Sequence, residues 1–212
     1  MVGEITEEVL ATMTAEKGTN KGIVKVPVTY TVDGKSYTKE AEITVNVLGS
    51  EPKTVYTVEG KKLDAEKVKN AVTPGTGGTV NAPKETDLPA TTVTAGTPDV
   101  TVPTTVTYPT GDETVNVPVE VLPKATPEKV TTLKDTTSEN LTTAVKEKAQ
   151  AALGKLTLPS GVTAELDPTQ TYAVPPTDSN GDKTAVPVKV QYKDATGTVV
   201  AEDTINVPVT VV

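Results

Sequence analysis

Within residues 23–32 apolar side chains occupy alternate positions from Val24 onward. Val24, Val26, Val28, Tyr30 and Val32 share one phase, and Lys25, Pro27, Thr29 and Thr31 take the other. A period of two is that of a strand with one face on a core and the other in water. Asp33-Gly34 supplies a turn, after which Ile43, Val45 and Val47 resume the alternation on a return strand. The same strand-turn-strand signature recurs over 99–121, with Pro109-Thr110-Gly111 as its turn and Val115, Val117, Val119 and Val121 inward. It recurs again over 185–211, with Ala195-Thr196-Gly197 and then Ile205, Val207, Val209 and Val211. The signature tyrosines Tyr30, Tyr108 and Tyr192 are 78 and 84 residues apart. That spacing fits a string of small domains better than a short solenoid repeat.

Between the hairpins a second set of elements repeats in order. Lys53 to Val58 and Glu128 to Leu133 read as opening strands, each followed by a helical stretch. The first helix, Leu63 to Val72, is short. The second, Ser138 to Leu153, has Ser138 placed as N-cap, Leu141, Val145 and Leu153 on a common apolar stripe, and Gly154 as its stop. A Leu-Pro step then introduces a further strand, at Leu88-Pro89 before TTVT and at Leu158-Pro159 before VTAEL. Ahead of the first hairpin only Glu8 to Lys17 matches such a strand, so 1–50 reads as the carboxy-terminal half of a module. Full modules follow at 51–123 and 124–212, the last a longer variant. A half module without its opening strand exposes an edge and is expected to be held by its neighbour or to fray. The linkers Gly49-Ser50-Glu51-Pro52 and Pro123-Lys124-Ala125 are short, which predicts modules meeting nearly end to end in a rod with limited bending. Pro27, Pro103, Pro118, Pro187 and Pro208 interrupt the strands, and predict short sheets with blunted edges and a monomeric chain.

Composition narrows the chemistry. The 212 residues include no Cys, His, Trp, Phe or Arg, so the cores are built from Val, Leu, Ile, Ala and six Tyr. Without Cys there are no disulfides or thiolate metal sites, and without His the commonest general base and transition-metal ligand are missing. A formal charge of −8 and no Arg argue against nucleic acid and anionic membrane surfaces as partners. No apolar run of 18 residues exists, and the Met1-Val2-Gly3-Glu4 start lacks the pattern of a signal peptide. The chain is expected to be either cytosolic or an excised piece of a larger exported protein, and the second is the reading adopted.

At VTYPTGDETVNVPVEVLP (106–123), preceded by a Leu-Pro segment, the chain resembles the Rib/alpha-like repeat domains of Gram-positive surface proteins, known from streptococci and lactobacilli. The second module carries the valine-alternating strand, the Tyr-Pro-x-Gly turn and the Val-x-Val-Pro-Val return. The third has Tyr192-Lys193-Asp194 instead and a longer 177–184 loop, and the first matches only over 23–48 with Tyr30-Thr31. The resemblance implies an all-β chain with one short helix per full module: immunoglobulin-like β-sandwich modules of reduced strand number, in tandem. It also implies an extracellular, wall-attached parent, linked to peptidoglycan elsewhere, with no catalytic residues to transfer.

Four groups of residues invite a chemical reading. Asp178, Asn180 and Asp182 have the 1, 3, 5 spacing of a calcium loop, but Lys183 and Lys189 stand where that loop needs Gly and Glu, so a polar Asn180-Gly181 turn is the reading adopted. Asn46, Asn116 and Asn206 recur in the return strands, where pilin-type domains place the acceptor of a Lys-Asn isopeptide crosslink. The alternation turns them outward, and the reading adopted is no crosslink. Leu88-Pro89-Ala90-Thr91 resembles the opening of a sortase signal, with Thr92 replacing the required Gly, and reads as strand sequence. Tyr37, Tyr56 and Tyr172 are candidate adhesive anchors, weighed against filling an aromatic-poor core. No catalytic, cofactor-binding or metal-binding residue is assigned. The expected function is a non-catalytic stalk that projects an adhesive region. The alternative is that the modules themselves bind a host protein, mucin glycan or neighbouring cell.

Overall fold

A computed structural model of the chain describes residues 14–16, 21–46, 49–109 and 111–212. Its strands and helices follow in order: β1 (Thr14–Glu16), β2 (Lys21–Val32), β3 (Lys35–Asn46), β4 (Glu51–Pro52), β5 (Val55–Val58), α1 (Ala65–Asn70), β6 (Val72–Thr73), β7 (Thr79–Val80), β8 (Thr101–Tyr108), β9 (Gly111–Leu122), β10 (Val130–Thr132), α2 (Ser138–Gly154), β11 (Thr163–Leu166), β12 (Gly181–Lys193) and β13 (Val199–Val211). The described chain is β-rich and sandwich-like. All three expected hairpins form: β2 with β3, β8 with β9 and β12 with β13.

The last two hairpins share one topology. An opening strand runs parallel to the return strand (β5 on β9, β10 on β13), and a short strand pairs antiparallel on the other side (β7 on β8, β11 on β12). Both sheets therefore read opening, return, outgoing, edge. In the first hairpin β1 pairs with β2 only over 21–23, and the rest of the expected 8–17 strand lies outside the described residues.

By contacts the chain divides into two compact units. The first comprises Met1–Thr54, Asp64–Leu88 and Thr101–Pro118. Its core includes Val68 of α1, which lies against β8, with Val102, Val106, Tyr108, Val115 and Val117. Asp64 caps α1 by accepting from the Glu66 N–H at 3.0 Å. Thr104, on the inward phase of β8, is fully buried, and its hydroxyl donates to the Val102 carbonyl. Asp33 and Gly34, at φ 50° and 75°, make the turn that brings Val32 opposite Lys35.

The second unit comprises Val55–Leu63, Pro89–Val100 and Val119–Val212. Its core joins Val186, Val188, Val190 and Tyr192 of β12 to Ile205, Val207 and Val209 of β13, and includes Val58 and Leu122. Helix α2 covers this face with Leu141, Val145, Ala149, Ala152 and Leu153, so the expected stripe is the buried one. Its cap is one residue earlier than expected: Thr137 is in extended backbone and its hydroxyl accepts from the Asn140 N–H, which leaves Ser138 inside the helix. At Pro208 the β12–β13 register shifts between Lys183 and Val186, so the bulge falls where proline has no N–H to give the ladder.

The two Leu-Pro segments part company. Residues 163–166 form β11 as expected, whereas 88–94 are not a strand. They close into turns instead, with Val93 N–H on the Ala90 carbonyl and Thr97 N–H on the Thr94 carbonyl. The edge of β8 is taken by Thr79–Val80, continued by the Asn81 N–H on the Thr105 carbonyl.

Candidate functional site

Tyr108 and Tyr192 end the outgoing strands of their hairpins on the inward phase, and both are buried, 4% and 0% exposed. A buried phenol needs a partner for its hydroxyl. Each finds it on the linker that enters its own hairpin's fold. Tyr108 Oη lies 2.7 Å from Ser50 Oγ and accepts from the Gly75 N–H at 3.0 Å. Tyr192 Oη donates to the Pro123 carbonyl at 2.7 Å.

An acid completes each clasp. On the return strand, opposite the residue two before the tyrosine, stand Glu113 (opposite Val106) and Asp203 (opposite Val190). Glu113 accepts from Ser50 Oγ at 2.7 Å, from the Ser50 N–H at 3.4 Å and from Tyr108 Oη at 3.3 Å. Asp203 is 6% exposed, and its Oδ2 has no hydrogen bond among the described residues. The nearest counter-charge is the Lys124 ammonium at 3.7 Å, on the linker. Glu59 holds the same linker by its backbone: its carboxylate accepts from the Lys124 N–H at 3.3 Å and from the Ala95 N–H at 2.7 Å. Lys61 Nζ adds a bond to the Glu202 carbonyl at 2.7 Å. Burial, and after it the Asp203 and Glu59 carboxylates, push the Tyr192 phenol well above the ordinary tyrosine range.

Backbone proximity supports the first clasp. Gly78 packs so tightly on the Tyr108 ring that a Cβ there would fall 2.6 Å from Cε1, so only glycine fits. In the second unit a cleft of about 550 Å³ opens beside the linker, between Gly96, Val121, Pro123, Leu156, Leu158 and Pro159.

The chain matches no family model, no curated protein and no solved structure.

Asp178, Asn180 and Asp182 do not gather: the Thr210 hydroxyl bonds Asp182, Ser179 bonds Asp178, and Lys183 Nζ sits 2.8 Å from Ser179 Oγ. Asn180-Gly181 connects a bend to β12, with Gly181 at φ 114°. Asn116 and Asn206 are exposed, opposite Pro103 and Pro187. Asn46 is not their ladder equivalent, since it pairs with Lys21; its side chain lies outside the described residues. Tyr56 and Tyr172 are partly buried against the second unit's core, and Lys146 Nζ stands 4.9 Å from the centre of the Tyr172 ring. Tyr37 is 46% exposed and stacks on Tyr30, ring centres 5.7 Å apart. The expectation that Tyr30 is inward and covered does not hold, for it is 47% exposed.

Sequence reasoning passed over the clasp acids, although a signal for them exists. Glu113-Thr-Val-Asn-Val-Pro-Val and Asp203-Thr-Ile-Asn-Val-Pro-Val place a carboxylate on the valine phase at the same point of both return strands. A charge on a core-facing position requires a partner.

Proposed function

We propose that the chain is a non-catalytic run of Rib-like modules, at 1–50, 51–123 and 124–212, serving as a semi-rigid spacer in an extracellular, wall-attached protein. The observation that carries the reading is the recurring clasp: in both later hairpins the signature tyrosine and an inward acid fasten the entering linker. A spacer transmits length only when its joints are fixed, and an array without such bonds behaves as beads on a flexible chain. The shared strand order of the last two hairpins supports treating them as copies of one immunoglobulin-like unit. Small-angle scattering over a concentration series tests the reading. The expected profile is a monomeric rod on the order of 100 Å, given about 33 Å per ten-residue strand. A compact or floppy profile contradicts it.

A second reading, adhesion by the modules themselves, is favoured by one feature, the exposed Tyr30 and Tyr37 pair on the first hairpin.

A further inference from the structure

The first hairpin carries the clasp positions in an uncovered form. Opposite Val28, two residues before Tyr30, β3 places Lys39 where the other return strands place Glu113 and Asp203. On the same face Val32 pairs with Lys35 and Tyr30 with Tyr37. Two lysines therefore flank the ring pair, each two residues from Tyr37 and so about 7 Å along the strand. Val32 is 51% exposed, as open as the two tyrosines, whereas Tyr108 and Tyr192 are covered by linkers. Exposure here is thus a property of this copy and not of the strand pattern.

The inverted charge indicates what would cover the face. The closed clasps set an acid against a linker that brings a hydroxyl and an N–H, from Ser50, or an ammonium, from Lys124. A lysine at the same place is complementary to a carboxylate. We propose that the Tyr30, Tyr37 and Lys39 face is a docking socket for an extended polypeptide segment bearing an acidic residue. The segment lies across the ring pair as Ser50 and Pro123 lie on Tyr108 and Tyr192, with its carboxylate on Lys39. Two other occupants fit less well. A second copy of the face, laid on the first, brings lysines against lysines. A sugar needs an open ring face, and the two rings are stacked at 20° on each other. The inference rests on reading the three hairpins as copies of one unit, and not on the spacer role.

The test is an amide NMR titration of the full chain with two synthetic peptides of residues 45–56, both with E51Q and carrying S50D or S50K, so that only the first bears an acidic residue. The S50D peptide is expected to bind about five- to tenfold more tightly, the scale of reversing one solvated ion pair, with shifts confined to Val28–Lys39. In Lys39→Glu protein, whose exposed substitution leaves the remaining spectrum unchanged, the preference reverses. The proposal is overturned by absence of saturable shifts at millimolar peptide, by equal affinity for both peptides, or by shifts elsewhere. It is overturned equally if sedimentation shows self-association through this face, or if only a hyaluronan oligosaccharide shifts these residues. Loss of peptide binding with a rod-like scattering profile would sink the socket alone, while a floppy profile with binding intact would sink the spacer alone.

Discussion

In the third hairpin Tyr192 is fully buried with its hydroxyl on Pro123, while in the first Tyr30 stands 47% exposed against Tyr37, although both follow the same run of alternating valines. The alternation determines which side chains share a face. Whether that face becomes a core depends on what is laid over it: in the third hairpin α2 and the linker cover it, whereas Tyr30 is left about half exposed beside its cross-strand partner Tyr37. Val24 and Val26, nearer the base of the first hairpin, are buried, and exposure begins toward its tip. An isolated two-stranded ribbon is marginal in water, and among the described residues β1 adds three residue pairs to this one.

The sharpest way to break the comparison is to truncate both tyrosines. Tyr192→Ala is expected to cost about 3–5 kcal/mol in urea denaturation, through the cavity and the lost hydroxyl bond. Tyr30→Ala is expected to change stability by less than about 0.5 kcal/mol, as at other exposed positions. Equal losses would show that the first hairpin is covered in solution.

A smaller effect follows from the orphaned acid. Lys124→Ala strands Asp203 in the core without its counter-charge. Breaking a fully buried pair costs about 3–5 kcal/mol, and because Lys124 is half exposed the expected loss is about 1–2 kcal/mol after solvent screening. Asp203→Asn added to Lys124→Ala should recover most of it, and a further loss on that addition would argue that Asp203 is stabilised by something other than Lys124.

Smallest is removal of the hydroxyl alone. Tyr192→Phe is expected to cost about 1 kcal/mol at neutral pH, the net worth of one hydrogen bond. It should also change the alkaline limb of stability. A phenol raised in the folded state stabilises the fold below the ordinary tyrosine value of about 10. That stabilisation is lost as pH rises from there toward the higher folded value. Stability measured between pH 9 and 12 should therefore fall less steeply in Tyr192→Phe than in the parent chain, and parallel curves would contradict the assigned environment.

Much of the fold was legible because strands of period two and a helix of period 3.6 announce themselves locally. The three hairpins, both opening strands and the buried stripe Leu141, Val145 and Leu153 fall where the pattern places them. What failed depended on competition between segments. TTVT after Leu88-Pro89 reads as a strand, yet Thr79–Val80 holds that edge and the Ala95 N–H is drawn to Glu59, 36 residues away. The recurrence of Asn46 with Asn116 and Asn206 is a sequence coincidence that pairing register dissolves. The clasp was hidden for a related reason: Glu113 and Asp203 look like solvated charges until their phase along the strand is compared with that of the valines beside them.

The claim on which the rest depends is that the linkers are fastened to the hairpins, and amide hydrogen exchange reads it most directly. The Lys124 and Ala95 N–H groups donate to Glu59, and the Gly75 N–H donates to Tyr108 Oη. These three loop amides should exchange as slowly as those of β8 and β12 at neutral pH, and those of Lys124 and Ala95 should lose protection in Glu59→Ala, which removes both acceptor oxygens. Exchange of all three at the rate of an unstructured chain would mean that the linkers are loose and that the clasps do not hold.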